Sequence, residues 1–256
     1  MPDPKLDLEI SIHTALTLLG QPAPVQLTVK PYAGLTATAE LQDGSVSFRA
    51  SEAWALAPEE ARVGLALYLL SHVLRRRPDA RARPYLKAYR AFQASEASAE
   101  LHDSLRRRHG RGSGTTPKGK LFDLEAELER VLLDHPHVFD GHLPAKPKIA
   151  WSRHHSRSRL GYYDSAFNTL VISKGFDRPR TPASAVRSVI YHELLHIKHK
   201  VQYERGRTLR RTVHPRAFKE DEKRFLERAE ADAWFGMRKR NAPARELRLL
   251  ARLLGL

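Results

Sequence analysis

The feature that most constrains the fold is an internal echo. From Pro24 to Arg76 the chain aligns without gaps onto Lys148 to Lys200 at a shift of 124 residues. Val25-Gln-Leu27 meets Ile149-Ala-Trp151, Gly44-Ser-Val-Ser-Phe48 meets Asn168-Thr-Leu-Val-Ile172, and Tyr68-Leu-Leu-Ser-His72 meets His192-Glu-Leu-Leu-His196. Only four positions are identical, Pro58/Pro182, Ala61/Ala185, Leu70/Leu194 and His72/His196, so the echo is one of pattern. Amphipathic segments opening at Leu6-Asp-Leu-Glu9 and Phe122-Asp-Leu-Glu125 precede the two copies. Each half therefore reads as helix, strand, strand, strand, helix, an α+β plan that two ordinary modules of this class could also share.

Within the second copy, Leu160–Tyr163 and Thr169–Ile172 alternate around a polar turn containing Asn168, which predicts a hairpin. Thr181-Pro182 then supplies a helix start, and Val186, Ile190, Leu194 and Ile197 recur at helical spacing up to about His199. A helix through Phe218, Phe225 and Trp234 and a last one opened by Pro243 follow. Between the halves, Ala94–Lys120 loses apolar periodicity around Arg106-Arg107-Arg108-His109-Gly110-Arg111-Gly112. Alternating glycines there predict a flexible basic linker. The expected domains are 1–93, a linker 94–120, and 121–256.

Composition narrows the chemistry. The chain has no cysteine, so any metal must be held by His, Asp or Glu, and thirteen histidines are the place to look. No run approaches the roughly 18–20 apolar residues that span a bilayer, and the first residues lack the basic and apolar regions of a secretory leader, so a cytoplasmic protein is expected. A net charge of +15 attracts polyanions, nucleic acid first among them, although only 13 of the 44 basic residues are lysine and a general arginine bias would raise the charge equally well.

His192-Glu193-Leu194-Leu195-His196 carries the chemistry. Histidines four apart lie on one helix face and can reach one Zn²⁺, while Glu193, one step round, can take a proton from water that the metal has acidified. A histidine-rich face that binds nothing is the plainer reading, but it leaves a carboxylate beside a buried apolar stripe without a purpose. His199 is about 10 Å from His192 along the axis, too far to share the ion. A third ligand must return from a later segment: His214, which precedes an apolar helix, or Glu220, Glu222 or Glu230. In the first half Tyr68, Leu69 and Arg81 stand at the corresponding places, so that copy holds no metal, and His72 reads as a satisfied core histidine.

Arg153, His154, His155, Arg157 and Arg159 crowd one edge near Trp151, Tyr162 and Tyr163, a combination that suits single strands of nucleic acid or simply protects a sheet edge. Arg106, Arg107 and Arg108 could follow phosphates in the same way, and Arg205, Arg207, Arg210 and Arg211 could add a further contact.

Between about Phe122 and Phe225 the chain resembles the SprT-like zinc metallopeptidases, the family that includes Spartan-type proteases. The resemblance rests on Arg159-Leu-Gly-Tyr-Tyr163, Leu170-Val-Ile-Ser173, Tyr191-His-Glu-Leu-Leu-His196, and His214 followed four residues later by Phe218. It implies a zincin-like domain whose small antiparallel sheet packs on the motif helix, preceded here by a degenerate repeat. It also implies Zn²⁺ on His192, His196 and His214, Glu193 as general base, and cleavage of proteins held on or crosslinked to DNA, and of the protease itself. Many relatives carry a cysteine zinc ribbon or a ubiquitin-binding tail; this chain has neither cysteine nor ribbon and has an extra N-terminal half. A peptidase indifferent to DNA and a non-catalytic nucleic-acid-binding protein are the alternatives.

Overall fold

A computed structural model describes residues 3–112, 114–156, 159–199, 201–205 and 209–240. The expected helix after Pro243, and Arg157 and Arg207, lie outside the described residues. The chain is α+β and divides into two compact units, residues 1–111 with 205–210, and residues 112–204 with 211–256. No helix among the described residues is long and apolar enough to cross a membrane.

The first unit opens with α1 (Pro4–Leu19), whose N-cap Asp3 accepts from the Lys5 N–H and whose chain turns out through Gly20 in the left-handed region. Strands β1 (Val25–Lys30), β2 (Ala37–Gln42) and β3 (Ser45–Ser51) follow, then α2 (Glu59–Val73), α3 (Arg83–Gln93) and α4 (Glu96–His109). Leu8, Ile12, Val46, Phe48, Trp54, Leu67, Leu70 and Phe92 form its core.

The second unit contains α5 (Leu124–Asp134), a single turn α6 (Pro136–Phe139), β4 (Lys148–Trp151), β5 (Gly161–Asp164), β6 (Thr169–Ile172) and α7 (Ala183–Lys198). After α7 come β7 (Gln202–Arg205) and β8 (Leu209–Thr212), of which Arg205 and residues 209–210 fall with the first unit, and then α8 (Arg216–Glu222) and α9 (Arg228–Arg240) of the second. Val186, Val189, Ile190, Leu194 and Leu195 of α7 are buried against Leu128, Leu170, Ile172 and Phe218. Each such side chain contributes about 1.5–3 kcal/mol by leaving water, so α7 is the axis of this unit.

Both three-stranded sheets are mixed, not antiparallel throughout. The third strand is central, pairing parallel with the first and antiparallel with the second, in the orders β1-β3-β2 and β4-β6-β5. The hairpin signal was local and correct for β5 and β6, but the parallel partner is a long-range choice that periodicity does not encode. The parallel registers match at the 124-residue shift: Val25 pairs Val46 and Leu27 pairs Phe48, as Ile149 pairs Leu170 and Trp151 pairs Ile172. The hairpins differ by two residues, Ala39 facing Phe48 where Gly161 faces Ile172. A two-residue turn, Asp43-Gly44, both at positive φ, closes the first, whereas Ser165–Phe167 and a left-handed Asn168 close the second. A shift of two preserves which face each residue serves.

Two segments depart from expectation. Where a linker is expected, Glu96–His109 is a helix: Ser95 accepts from the Ser98 N–H, Leu105 is buried, and Leu101 packs on the first core. The alternating glycines begin only at Gly110, after the helix has ended. Residues 114–116 already belong to the second unit, since the Thr115 N–H donates to the Trp151 carbonyl and the Trp151 N–H to that of Thr116. The single helix expected through Phe218 and Trp234 is two, with Phe225 buried in the break between α8 and α9.

Candidate metal centre

The centre is built from α7 and the segment that returns to it. His192 and Glu193 are buried, at 7% and 5% exposure, on the innermost face of α7. The chain after β8 brings His214 back immediately before α8, and Phe218, in the first turn of that helix, is fully buried. Its ring lies 5.2, 4.9 and 4.5 Å from those of His192, His196 and His214, so one aromatic ring contacts all three imidazoles, edge-on to His192 and tilted to the other two.

The three histidine rings are 5.0–5.1 Å apart, centre to centre, and one nitrogen from each falls within 4.8 Å of the others, close enough to hold a metal ion. The Nε2 atoms of His196 and His214 are only 3.3 Å apart. Burial, reinforced by His192 and His214, pushes His196 down to about 3, so its ring is neutral at neutral pH. Glu222 lies 2.7 Å from His192 Nδ1. A carboxylate there accepts an N–H and leaves the lone pair on Nε2, the tautomer a metal ligand needs. Imidazoles converging nitrogen to nitrogen, with a carboxylate beside one of them, suit a divalent cation such as Zn²⁺.

Of the rival third ligands, Glu222 is thus engaged by His192 Nδ1 and lies outside the group of three converging nitrogens. Glu220 is exposed and faces Lys223 Nζ at 3.3 Å, and Glu230 is exposed beside Thr181 and Pro182 at the opposite end of α7. His199 stands apart, as its axial distance requires, and its Nε2 meets Asp221 Oδ2 at 2.8 Å. Burial would raise Asp221, but hydrogen bonds from Lys198 and His199 hold it below the ordinary carboxylate range. The Tyr191 hydroxyl donates to the Asp221 carbonyl at 2.6 Å, tying α8 to α7.

Glu193 projects beneath β5, the edge strand. Burial raises its carboxyl to about 7, against the opposing influence of His192, a hydrogen bond from the Tyr163 backbone N–H, and Arg159. Gly161 makes the approach possible, since a Cβ there would come 3.1 Å from Glu193 Oε1 and 2.7 Å from Val189 Cγ1. A carboxyl with an affinity for protons near neutrality, beside three imidazoles, can accept and return a proton.

The expected nucleic-acid residues divide between the units. Arg153, His154, His155 and Arg159 are exposed on the connection from β4 to β5, with the Arg159 guanidinium 4.9 Å over the Tyr162 ring. Trp151 is buried in the core and offers no face for stacking. Arg107 and Arg108 are exposed, and Arg106 half-buried, on α4 of the first unit. There, His72 is exposed and not in the core. Its Nδ1–H donates to the Tyr68 carbonyl at 2.6 Å, and Tyr68 and Leu69 leave that helix without a metal-ligating pair.

Phe218, Glu222 and Gly161 complete the centre without having been assigned these roles from the sequence. Phe218 and Glu222 fall one and two turns after His214, a spacing that could have identified them once α8 was known to pack on α7. Comparison with protein-family models, curated proteins and solved structures finds no match.

Proposed function

We propose that this protein is a zinc-dependent endopeptidase of the SprT-like type that acts on proteins associated with DNA, and on itself. The observation that carries the reading is the convergence of His192, His196 and His214 beside a buried Glu193. His192, His196 and His214 would hold the ion, and Glu222 would orient His192. When bound there, Zn²⁺ would supply Lewis acidity and make water easier to deprotonate. Glu193 would take that proton on its carboxylate, keep it from bulk water beneath β5, and deliver it to the amine that leaves. The Tyr163 N–H would hold the carboxylate in place meanwhile.

The DNA half of the proposal draws on the net charge of +15 and the exposed basic residues near β5 and on α4. The shared strand order and parallel register of the two sheets support descent of the first unit from a duplicated copy of the second, with its metal site lost. Glu193→Gln tests the chemistry. The variant should retain zinc and lose cleavage of casein and of itself in a DNA-supplemented assay, by at least ~100-fold. Cleavage at the wild-type rate would refute the assignment. Equal turnover with and without DNA would remove the DNA half alone.

A further inference from the structure

Residues 75–90 of the first unit hold seven basic side chains and one acid, Asp79. All seven are exposed. Asp79 is spent on Arg81, at 2.8 Å, and Arg76 bonds to Gln21. Arg75, Arg77, Arg83, Lys87 and Arg90 have no acidic partner among the described residues. Spacings of four and three put Arg83, Lys87 and Arg90 on one face of α3, spanning about 10 Å. The opposite face of α3 is accounted for: Tyr89 and Phe92 are buried in the first core and Tyr85 packs against it, while Leu86, three after Arg83 and four before Arg90, is half-buried at the margin of the row. The basic row is therefore free to face solvent.

The same pair of helices carries an aromatic surface on α2. Tyr68 is 43% exposed, which is unusual for a tyrosine in the middle of a helix whose neighbours Leu67 and Leu70 are fully buried. Its ring lies 4.7 Å from that of the exposed His72 and 5.7 Å from that of Tyr89. Gly64 holds α2 and α3 together, since a Cβ there would meet the Tyr85 carbonyl oxygen at 2.1 Å. The contacts Gly64 to Tyr85 and Tyr68 to Tyr89 run in the same sense along both helices. Arg90 is thus one residue beyond the tyrosine that supports Tyr68, and Arg75 and Arg77 follow His72 where α2 ends.

We infer that the α2–α3 face of the first unit is a binding surface for single-stranded nucleic acid, with Tyr68 and His72 stacking on unpaired bases and the flanking arginines and Lys87 contacting phosphates. Bases in a duplex hide their faces, so an exposed ring pair gains most from an unpaired strand, and stacking does not depend on which base is met. Arginine outnumbers lysine four to one among the five unpaired cations, and its planar fork suits phosphate oxygens. This deepens the nucleic-acid half of the proposed function and does not depend on the peptidase half.

The test uses the full chain carrying Glu193→Gln, so that self-cleavage does not intrude. Fluorescence anisotropy is read with a labelled 20-nucleotide oligo-dT, a 20-base-pair duplex and phosphatidylserine vesicles across a salt series. Oligo-dT should bind more tightly than duplex. Tyr68→Ala should weaken oligo-dT binding about tenfold, with Tyr68→Trp restoring it. Arg83→Gln/Lys87→Gln/Arg90→Gln should lower the slope of log affinity against log salt by about two, from ~0.7 per phosphate contact. Circular dichroism should show all variants folded, since the altered side chains are exposed. Wild-type oligo-dT affinity and salt slope in either the Tyr68→Ala or the triple variant would overturn the inference. Equal losses for duplex, or binding to vesicles without binding to oligo-dT, would also overturn it, the last in favour of a membrane surface.

Discussion

Gly161 and Glu193 face each other across the gap between β5 and α7, so closely that even a methyl group on residue 161 would press on the glutamate carboxylate and on Val189. The missing side chain lets an edge strand cover the proposed base while leaving it next to the histidines. Gly161→Ala should push β5 from α7 and cost about 1–3 kcal/mol of stability, as overpacked sites do. Zinc content should be nearly unchanged and cleavage should fall at least ~10-fold. Parallel elemental analysis, thermal melts and self-cleavage assays separate these effects. Unaltered cleavage would show that Glu193 tolerates displacement.

In the proposed zinc site Glu222 would act through His192, whose Nδ1 it meets at 2.7 Å. Removing a carboxylate that fixes the tautomer of a metal-bound histidine weakens metal binding by about 10–100-fold. Glu222→Ala should do so in competition with a chromogenic chelator, and Glu222→Gln, which can still accept the N–H, should lose less. If both bind zinc like the wild type, Glu222 has no part in positioning the ring.

His135, packed on Tyr191 and outside the cluster of three histidines, provides a pH dependence of its own. It is 2% exposed, its Nδ1–H donates to the Val131 carbonyl at 2.8 Å, and its Nε2 accepts from the Leu226 N–H at 3.1 Å. Burial lowers its affinity for protons below the ordinary histidine value. The unfolded chain therefore binds the proton first as pH falls, so stability contributed by neutral His135 is present above about pH 6.5 and declines below it. His135→Gln should be less stable at pH 7.5, by about 1–3 kcal/mol for the disturbed hydrogen bonds. Its urea midpoint should also change less between pH 7 and 5 than that of the wild type. An equally steep change would assign the dependence to other groups.

Gly64 should be as intolerant as Gly161. With the Tyr85 carbonyl oxygen 2.1 Å from where its Cβ would stand, Gly64→Ala must separate α2 from α3. Its cost should reach about 3 kcal/mol or more, read from the urea midpoint. A neutral substitution would mean that the helix crossing adjusts freely.

What could be read in the sequence was whatever depends on local periodicity. The α7 stripe and the β5–β6 hairpin are of this kind, and so is the meeting of His192 with His196. His214 was legible because it stands before an apolar helix start. The parallel pairing of β4 with β6 was not, because it joins residues about twenty apart through packing and not through a turn. Helix α4 was hidden because its buried face is marked only by Leu101 and Leu105, four residues apart, in a stretch otherwise of small and charged residues that ends in glycines. The exposure of His72 and the burial of Trp151 depend on which neighbours cover them, and α3 and the second core decide that.

Zinc measured by elemental analysis in wild type and His214→Ala tests the central claim most directly. One zinc per chain in the wild type, dropping well below one in His214→Ala with the fold intact, is the predicted result. A metal-free wild type, or a His214→Ala variant that keeps its full complement, would contradict the account.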